Sequence, residues 1–389
     1  MLSFTWDMNK VEKAKQKIRD VWEYRPVNKI PINFTVYSNP KKYTLHEQIK
    51  DVDKELDVAL NTIKRTLELT SLDYIPVMGP EVGNVLIENA FGLKAKFPEN
   101  PEQTPFWVEP IIKDIDDIYN LKIPNSYEDE FFIDCLDRLR YLASKVEGKI
   151  YLGGYDTGGP LNVALNLMDV NLFYISLIEN KEAMHDMLNK ITLTFIVYYS
   201  LIVDAAGGIN KMSNIYFHLW TPEGYKGAVA DDVCANIPPE MFNEFSKPYN
   251  SRILRVYGPG AFHNCGPNPC VFEYIDHDPP IKAINLFYDY SKNDLEKLAE
   301  AFAHRAVLYM SWWNSDPPEK VFKEYKNVCD KFAPQSIIIP QYGLDDSQYS
   351  DSEILEVYNE LNKISIEYTK SMIWKKKKNK YFPEGEHGV

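Results

Sequence analysis

The sequence predicts an α/β protein, a (β/α)8 barrel with a helical N-terminal extension. Short apolar strand candidates recur along the chain with amphipathic helical stretches between them, and they number about eight, as a closed parallel barrel requires. The length of 389 residues is long for an ordinary domain and normal for one barrel carrying insertions. No Gly-x-Gly-x-x-Gly turn marks a dinucleotide crevice, so an open doubly wound sheet lacks its usual signature. The expected organisation is one domain over residues 1–389, with 1–28 as the helical extension and 371–389 as a basic tail.

In chain order, Val11, Ile18 and Trp22 share one helical face among charged residues, which predicts a helix capping the barrel floor. Residues 30–37 alternate apolar and polar side chains and suit a first strand, followed by a long charged helix over 45–69. Residues 72–78 read as a second strand leading to a loop with Gly79, Pro80, Glu81 and Gly83. The proline-rich stretch 97–110, with Pro105, Phe106 and Trp107, reads as an irregular insertion, material for a lid or wall. A strand at 150–155 precedes a helix containing Leu161, Ala164, Leu165 and Met168. Further strands are expected at 215–219, 261–263, 281–287, 306–311 and 336–340, alternating with helices near 182–205, 239–256, 293–304, 317–331 and 351–370.

Composition narrows the function. Lys and Arg total 43 against 56 Asp and Glu, a formal charge of −13 that repels nucleic-acid phosphates and anionic membrane surfaces. With 45% hydrophobic and 25% charged residues the chain can bury a sizeable core. No secretory-type leader is expected at the N-terminus and no run of about 18 apolar residues could span a bilayer, so a cytoplasmic location is expected. Five cysteines, an odd number, argue against a disulfide framework and leave thiols for metal binding or catalysis. The lysine run 375–378 reads as a solvated tail.

The sharpest chemical feature is the segment Phe262-His263-Asn264-Cys265-Gly266-Pro267-Asn268-Pro269-Cys270. Residues two apart on a strand point to the same side, so His263 and Cys265 can offer an imidazole nitrogen and a thiolate to one ion. Gly266 and Pro267 end the strand there, which places the pair at the mouth where this fold collects its catalytic groups.

Three blocks in order, residues 153–160 (Gly-Gly-Tyr-Asp-Thr-Gly-Gly-Pro), Asp231-Asp232 with the segment 239–249, and His263-Asn-Cys-Gly266, resemble the uroporphyrinogen decarboxylase superfamily. The weaker likeness runs from about residue 10 to about residue 370. Within it the His-x-Cys-Gly block resembles the corrinoid-linked zinc methyltransferases, such as methylcobamide:coenzyme M methyltransferases and O-demethylating enzymes. The resemblance implies an eight-stranded barrel with zinc at its C-terminal mouth, and methyl transfer between a small substrate and a corrinoid. The chain has no Asp-x-His-x-x-Gly cobalamin pattern, so the corrinoid is expected on a separate protein or free.

True decarboxylases hold a polycarboxylated tetrapyrrole with arginines, whose planar pairing with carboxylates is strong. No arginine occurs between Arg25 and Arg65, where that family's arginine-rich block would fall. A metal-free decarboxylase and a non-catalytic corrinoid-binding barrel are the alternative functions.

The family's third metal ligand is a cysteine after the eighth strand, and the matching place here holds Tyr342. Cys270 is therefore assigned as a candidate metal ligand with His263 and Cys265. Glu81, Asp156, Asp232 and His218 remain as other ways to complete the site, and weak binding or loss of the metal are the other readings of Tyr342. Asp156, Asp232, Glu81 and Tyr342 are the candidate catalytic residues, with a helix N-cap as the structural alternative for Asp156. Tyr155, His218 and Trp312 are the candidate cofactor contacts. Adjacent indoles in a strand point opposite ways, so at most one of Trp312 and Trp313 faces the pocket. The aromatic content of 13% favours an apolar or aromatic methyl donor over a small anionic thiol. Large barrels commonly pair, which leaves a homodimer open.

Overall fold

The computed structural model describes residues 5–374 apart from 71, 72, 107, 108, 147 and 217. Trp107 and the lysine run 375–378 lie outside the described residues. The strands, in chain order, are β1 (Asn33–Tyr37), β2 (Val77–Met78), β3 (Tyr151–Leu152), β4 (Gly227–Ala230), β5 (Gly260–His263), β6 (Ile281–Phe287), β7 (Val307–Ser311) and β8 (Ile337–Asp345). All pair in parallel, in two arcs ordered β1-β8-β7-β6-β5-β4 and β2-β3. Helices lie between successive strands in the chain, reduced to a single 3-10 turn (Val271–Glu273) between β5 and β6, and the protein is a (β/α)8 barrel.

The β3/β4 seam is bridged by an irregular segment. Met212 pairs with Leu152, and the Ile215 amide donates to the Lys226 carbonyl at 3.0 Å. Residues 215–219 are expected to form the fourth strand, and the described ones among them, 215, 216, 218 and 219, do not. The Asn214 side chain is engaged locally, its amide group donating to the Leu219 carbonyl at 2.7 Å and its oxygen accepting from the Tyr216 amide at 2.8 Å. Those bonds close a turn. The strand forms at Gly227–Ala230, where the wholly buried run Gly-Ala-Val-Ala lacks the polar alternation a sequence scan looks for.

The N-terminal helix Met8–Trp22 covers the floor, as its apolar face predicts. Trp22 Nε1 donates to Tyr309 Oη at 2.9 Å, joining the helix to the middle of β7. The helix Lys181–Ala205 is long and apolar enough to cross a membrane by length and composition, contrary to the expectation that no segment is. About half of its most apolar stretch is buried against the rest of the protein, as in the core helix of a barrel's outer layer.

Period-two alternation decides which side chains reach the barrel interior. On β8 the inward residues include Ile339 and Gln341, and on β7 they include Tyr309 and Ser311. Asn285 of β6 and His263 of β5 complete this upper layer. The alternating residues Phe34, Phe262, Trp312 and Tyr342 face the helices.

Candidate metal centre

At the C-terminal ends of β4 and β5, Asp232, His263 and Cys265 bring an oxygen, a nitrogen and a sulfur within 4.8 Å of one another. Cys265 Sγ lies 3.6 Å from His263 Nε2, and His263 Nε2 lies 3.9 Å from Asp232 Oδ1. Asp232 Oδ1 also accepts the Cys265 backbone amide at 2.8 Å.

The local fold explains the grouping. Asp231 and Asp232 leave β4 in alternation. Asp231 is buried and accepts from the Ser246 hydroxyl on the helix side, and burial pushes its carboxyl up to about 7. Asp232 faces the mouth. Gly266 follows Cys265 with φ 101°, a left-handed conformation suited to glycine. A Cβ at that position would sit 2.7 Å from Ser291 Oγ.

A hydrogen-bond chain orients the imidazole. Asn285 Nδ2 donates to the Tyr309 carbonyl at 3.2 Å, and that oxygen can only accept, which fixes the amide's orientation. Asn285 Oδ1 is thereby turned to His263 Nδ1 at 2.7 Å. Nδ1 carries the proton, and Nε2 presents its lone pair to Cys265 and Asp232, the arrangement found behind metal-ligating histidines. Gln341 Oε1 accepts from Asn285 Nδ2 at 2.5 Å and from Ser311 Oγ at 2.8 Å.

The donor set fits zinc. With Zn–N of about 2.0–2.1 Å and Zn–S of about 2.3 Å, a tetrahedral N···S edge is about 3.6 Å, matching the separation present; a tetrahedral N···O edge is about 3.4 Å, reached by a small movement of Asp232. The Cys265 thiol is pushed up to about 12 by burial first and by Asp232 second.

Several of the expected site residues lie elsewhere. Cys270 is fully buried, its Sγ 3.3 Å from the Ile237 carbonyl and 3.5 Å from that of Cys234, and it is not in the cluster. The turn after Cys265 carries Cys270 behind β5, among core residues. Tyr342 faces outward because Gln341 faces inward; its hydroxyl donates to the Asp316 carbonyl at 2.6 Å and its ring meets Phe34 edge-on. Trp312 likewise faces the helices, stacked on Tyr288 and donating to Glu324 at 2.9 Å. Tyr155 is buried, its hydroxyl donating to the Cys135 carbonyl at 2.7 Å.

The other expected residues lie at the mouth or on cavities. Asp156 is exposed and accepts from Tyr216 Oη at 2.6 Å, and its charge adds to the rise in the Cys265 thiol. It is not the cap of the helix Pro160–Leu167, whose N-cap is Gly159. Glu81 is half-buried after β2; its Oε1 accepts the Gly83 amide at 2.6 Å, and burial raises its pKa. His218 lies over the ends of β2 and β3, where a Cβ at Gly79 would come within 1.8 Å of its Nε2 and one at Gly153 within 2.2 Å of its Cδ2. The missing side chains make the slot its ring occupies.

Two cavities, of about 210 and 410 Å³, flank the β1/β2 seam and share Thr62, Val77 and His218. Among the described residues, neither is lined by the Asp232, His263 and Cys265 cluster or by an arginine. Sequence reasoning missed Asn285, Gln341 and Tyr216. A lone asparagine in the apolar strand Ile-Lys-Ala-Ile-Asn-Leu-Phe was the available signal for the first.

Comparison with known proteins agrees with this architecture. No curated protein matches the chain. Among solved structures, a methyltransferase from Methanosarcina mazei superposes with a TM-score of 0.65 at 17% identity, covering 92% of this chain and 99% of the other. The family model for uroporphyrinogen decarboxylase (URO-D) matches residues 15–309. The chain therefore belongs to the uroporphyrinogen decarboxylase family.

Proposed function

We propose that this barrel is a corrinoid-dependent methyltransferase, moving a methyl group between a small substrate and a corrinoid, with zinc held by Asp232, His263 and Cys265. The observation that carries the reading is the oriented His263, whose Nε2 faces the Cys265 thiol at 3.6 Å with Asn285 fixed behind it. The methyltransferase from Methanosarcina mazei, similar in fold, supports it. A bound zinc would supply Lewis acidity, lowering the pKa of a thiol or phenol at the site.

The chain's own residues prepare the chemistry. Asn285 keeps His263 in one tautomer, and Gln341 and Ser311 hold Asn285. Asp156, held by Tyr216, stands at the mouth able to accept or return a proton. Glu81 retains its proton nearer neutrality than an ordinary carboxyl and can donate it to a departing oxygen. An aryl methyl ether is the methyl donor we favour over a thiol methyl acceptor, because the exposed Asp156 carboxylate stands at the mouth and an anionic thiol would meet its charge. The corrinoid comes as free cobalamin or on a carrier protein. A tetrapyrrole decarboxylase is disfavoured by the sequence between Arg25 and Arg65, which carries no arginine to hold its carboxylates.

The test is methyl transfer in vitro. Zinc-loaded protein is mixed with cob(I)alamin and a panel of methoxylated aromatics, and methylcobalamin formation is followed by absorbance. Formation that is lost in His263→Ala supports the proposal. No transfer from any donor, nor from methylcobalamin to any thiol, refutes it.

A further inference from the structure

Phe287, Trp313 and Tyr290 form an aromatic group at and beyond the ends of β6 and β7. Phe287 ends β6 two residues beyond Asn285, and its backbone amide donates to the Cys265 carbonyl at 3.3 Å. Its ring stacks on Trp313, centroids 4.4 Å apart and planes inclined at 26°. Tyr290 stands edge-on to the same indole at 6.4 Å and 89°. The backbone of Tyr290 lies against Gly266, where a Cβ would come within 3.0 Å of it. Three rings thus gather around the residue pair that contains the thiol of the cluster.

Two of these rings are open to solvent. Trp313 is 41% exposed and Tyr290 50% exposed, whereas the neighbouring Trp312 is 4% exposed in the helix layer. An indole with one face covered by Phe287 and a phenol standing at right angles forms a corner in which a flat ring can stack and meet an edge. The corrin of a cobalamin suits it poorly, because its saturated rim and projecting amide arms keep a π-face from close contact. A single benzene ring fits both surfaces.

We infer that Trp313, backed by Phe287 and bounded by Tyr290, is the specificity-determining platform that stacks the aromatic ring of the methyl donor beside Cys265. The inference rests on the methyltransferase reading for the identity of its ligand. It assigns recognition to the ring, and it expects a neutral ring to bind better than one bearing a carboxylate, because the charge of Asp156 reaches Cys265, beside which the ring would lie.

The experiment measures binding of guaiacol, methoxycyclohexane and 3-methoxybenzoate to the zinc-loaded full chain by calorimetry. Wild type is compared with Trp313→Leu, Trp313→Phe and Trp312→Phe. Guaiacol should bind more tightly than the other two. Trp313→Leu should weaken guaiacol between about two- and tenfold, the range for an aromatic pair beyond its buried area. Trp313→Phe should recover most of that loss, Trp312→Phe should leave it unchanged, and bound zinc should be equal in all. No guaiacol binding to wild type, equal binding of the saturated ether, or indifference to Trp313→Leu overturns the platform. Methyl transfer measured in parallel separates the two readings: transfer with unchanged affinity in Trp313→Leu removes the platform alone, and Trp313-dependent binding without transfer to cob(I)alamin removes the methyltransferase alone.

Discussion

Replacing Asn285 by leucine keeps much of the side-chain volume and removes the acceptor that faces His263 Nδ1 at 2.7 Å. In the native protein that contact holds the imidazole with its lone pair toward the cluster. Without it, the Nδ1 proton loses this partner in a half-buried setting, a loss of roughly 1–3 kcal/mol, and the ring is free to adopt the other tautomer. Loss of such a supporting partner lowers metal affinity about 10- to 100-fold, or roughly 1.4–2.8 kcal/mol. The assay is competition for zinc against a chromophoric chelator at neutral pH, with thermal melting as a check on folding. Asn285→Asp supplies the informative contrast. Its carboxylate still accepts from Nδ1, so zinc affinity should be retained; it no longer donates to the Tyr309 carbonyl or Gln341, so the melting temperature should fall. Equal zinc affinity in wild type and Asn285→Leu would refute the orientation argument, as would a loss in Asn285→Asp as large as that in Asn285→Leu.

Three further outcomes are expected. Tyr342→Phe should cost about 1 kcal/mol of stability, from the bond to the Asp316 carbonyl, and leave bound zinc unchanged on elemental analysis. Cys270→Ala should likewise keep its zinc, since that thiol sits among the Cys234 and Ile237 carbonyls; a loss of metal would return it to the ligand set. Glu88 is fully buried with its Oε2 unpartnered, and burial pushes its carboxyl up to about 7, so the folded state holds a proton that the unfolded chain releases. Its contribution is fully present below the unfolded pKa near 4 and is lost as pH rises to about 7, by an amount up to about 3 kcal/mol. Glu88→Gln should flatten that part of the melting profile between pH 4 and 8, and an unchanged slope would contradict the assignment.

The barrel and two of the three residues of the candidate metal cluster were legible in the sequence because both rest on local rules. Strand–helix alternation gave the order of elements, and the i, i+2 relation put His263 and Cys265 on one side of β5. The third member was harder to find. Asp232 comes from another strand, and only the parallel pairing of β4 with β5, with Ala230 opposite His263, sets it beside them. Tyr342 illustrates the same difficulty: a one-residue shift along β8 exchanges inside for outside, so Gln341 enters the layer and Tyr342 leaves it. Trp312 and Trp313 repeat the lesson at the end of β7, where alternation allowed at most one to face the pocket without saying which. Cys270 was misplaced because its turn carries it behind the strand, a matter of loop path that spacing does not encode. The fourth strand was missed because a run of small buried residues has no period to detect.

The most direct test of the account is the metal content of the purified, zinc-loaded protein, compared with His263→Ala/Cys265→Ala and with Asp232→Ala. The account predicts close to one zinc per chain in the native protein, none retained after gel filtration in the double variant, and weakened retention in Asp232→Ala. Absence of zinc from the native protein, or equal zinc in the double variant, would contradict a metal centre at the ends of β4 and β5.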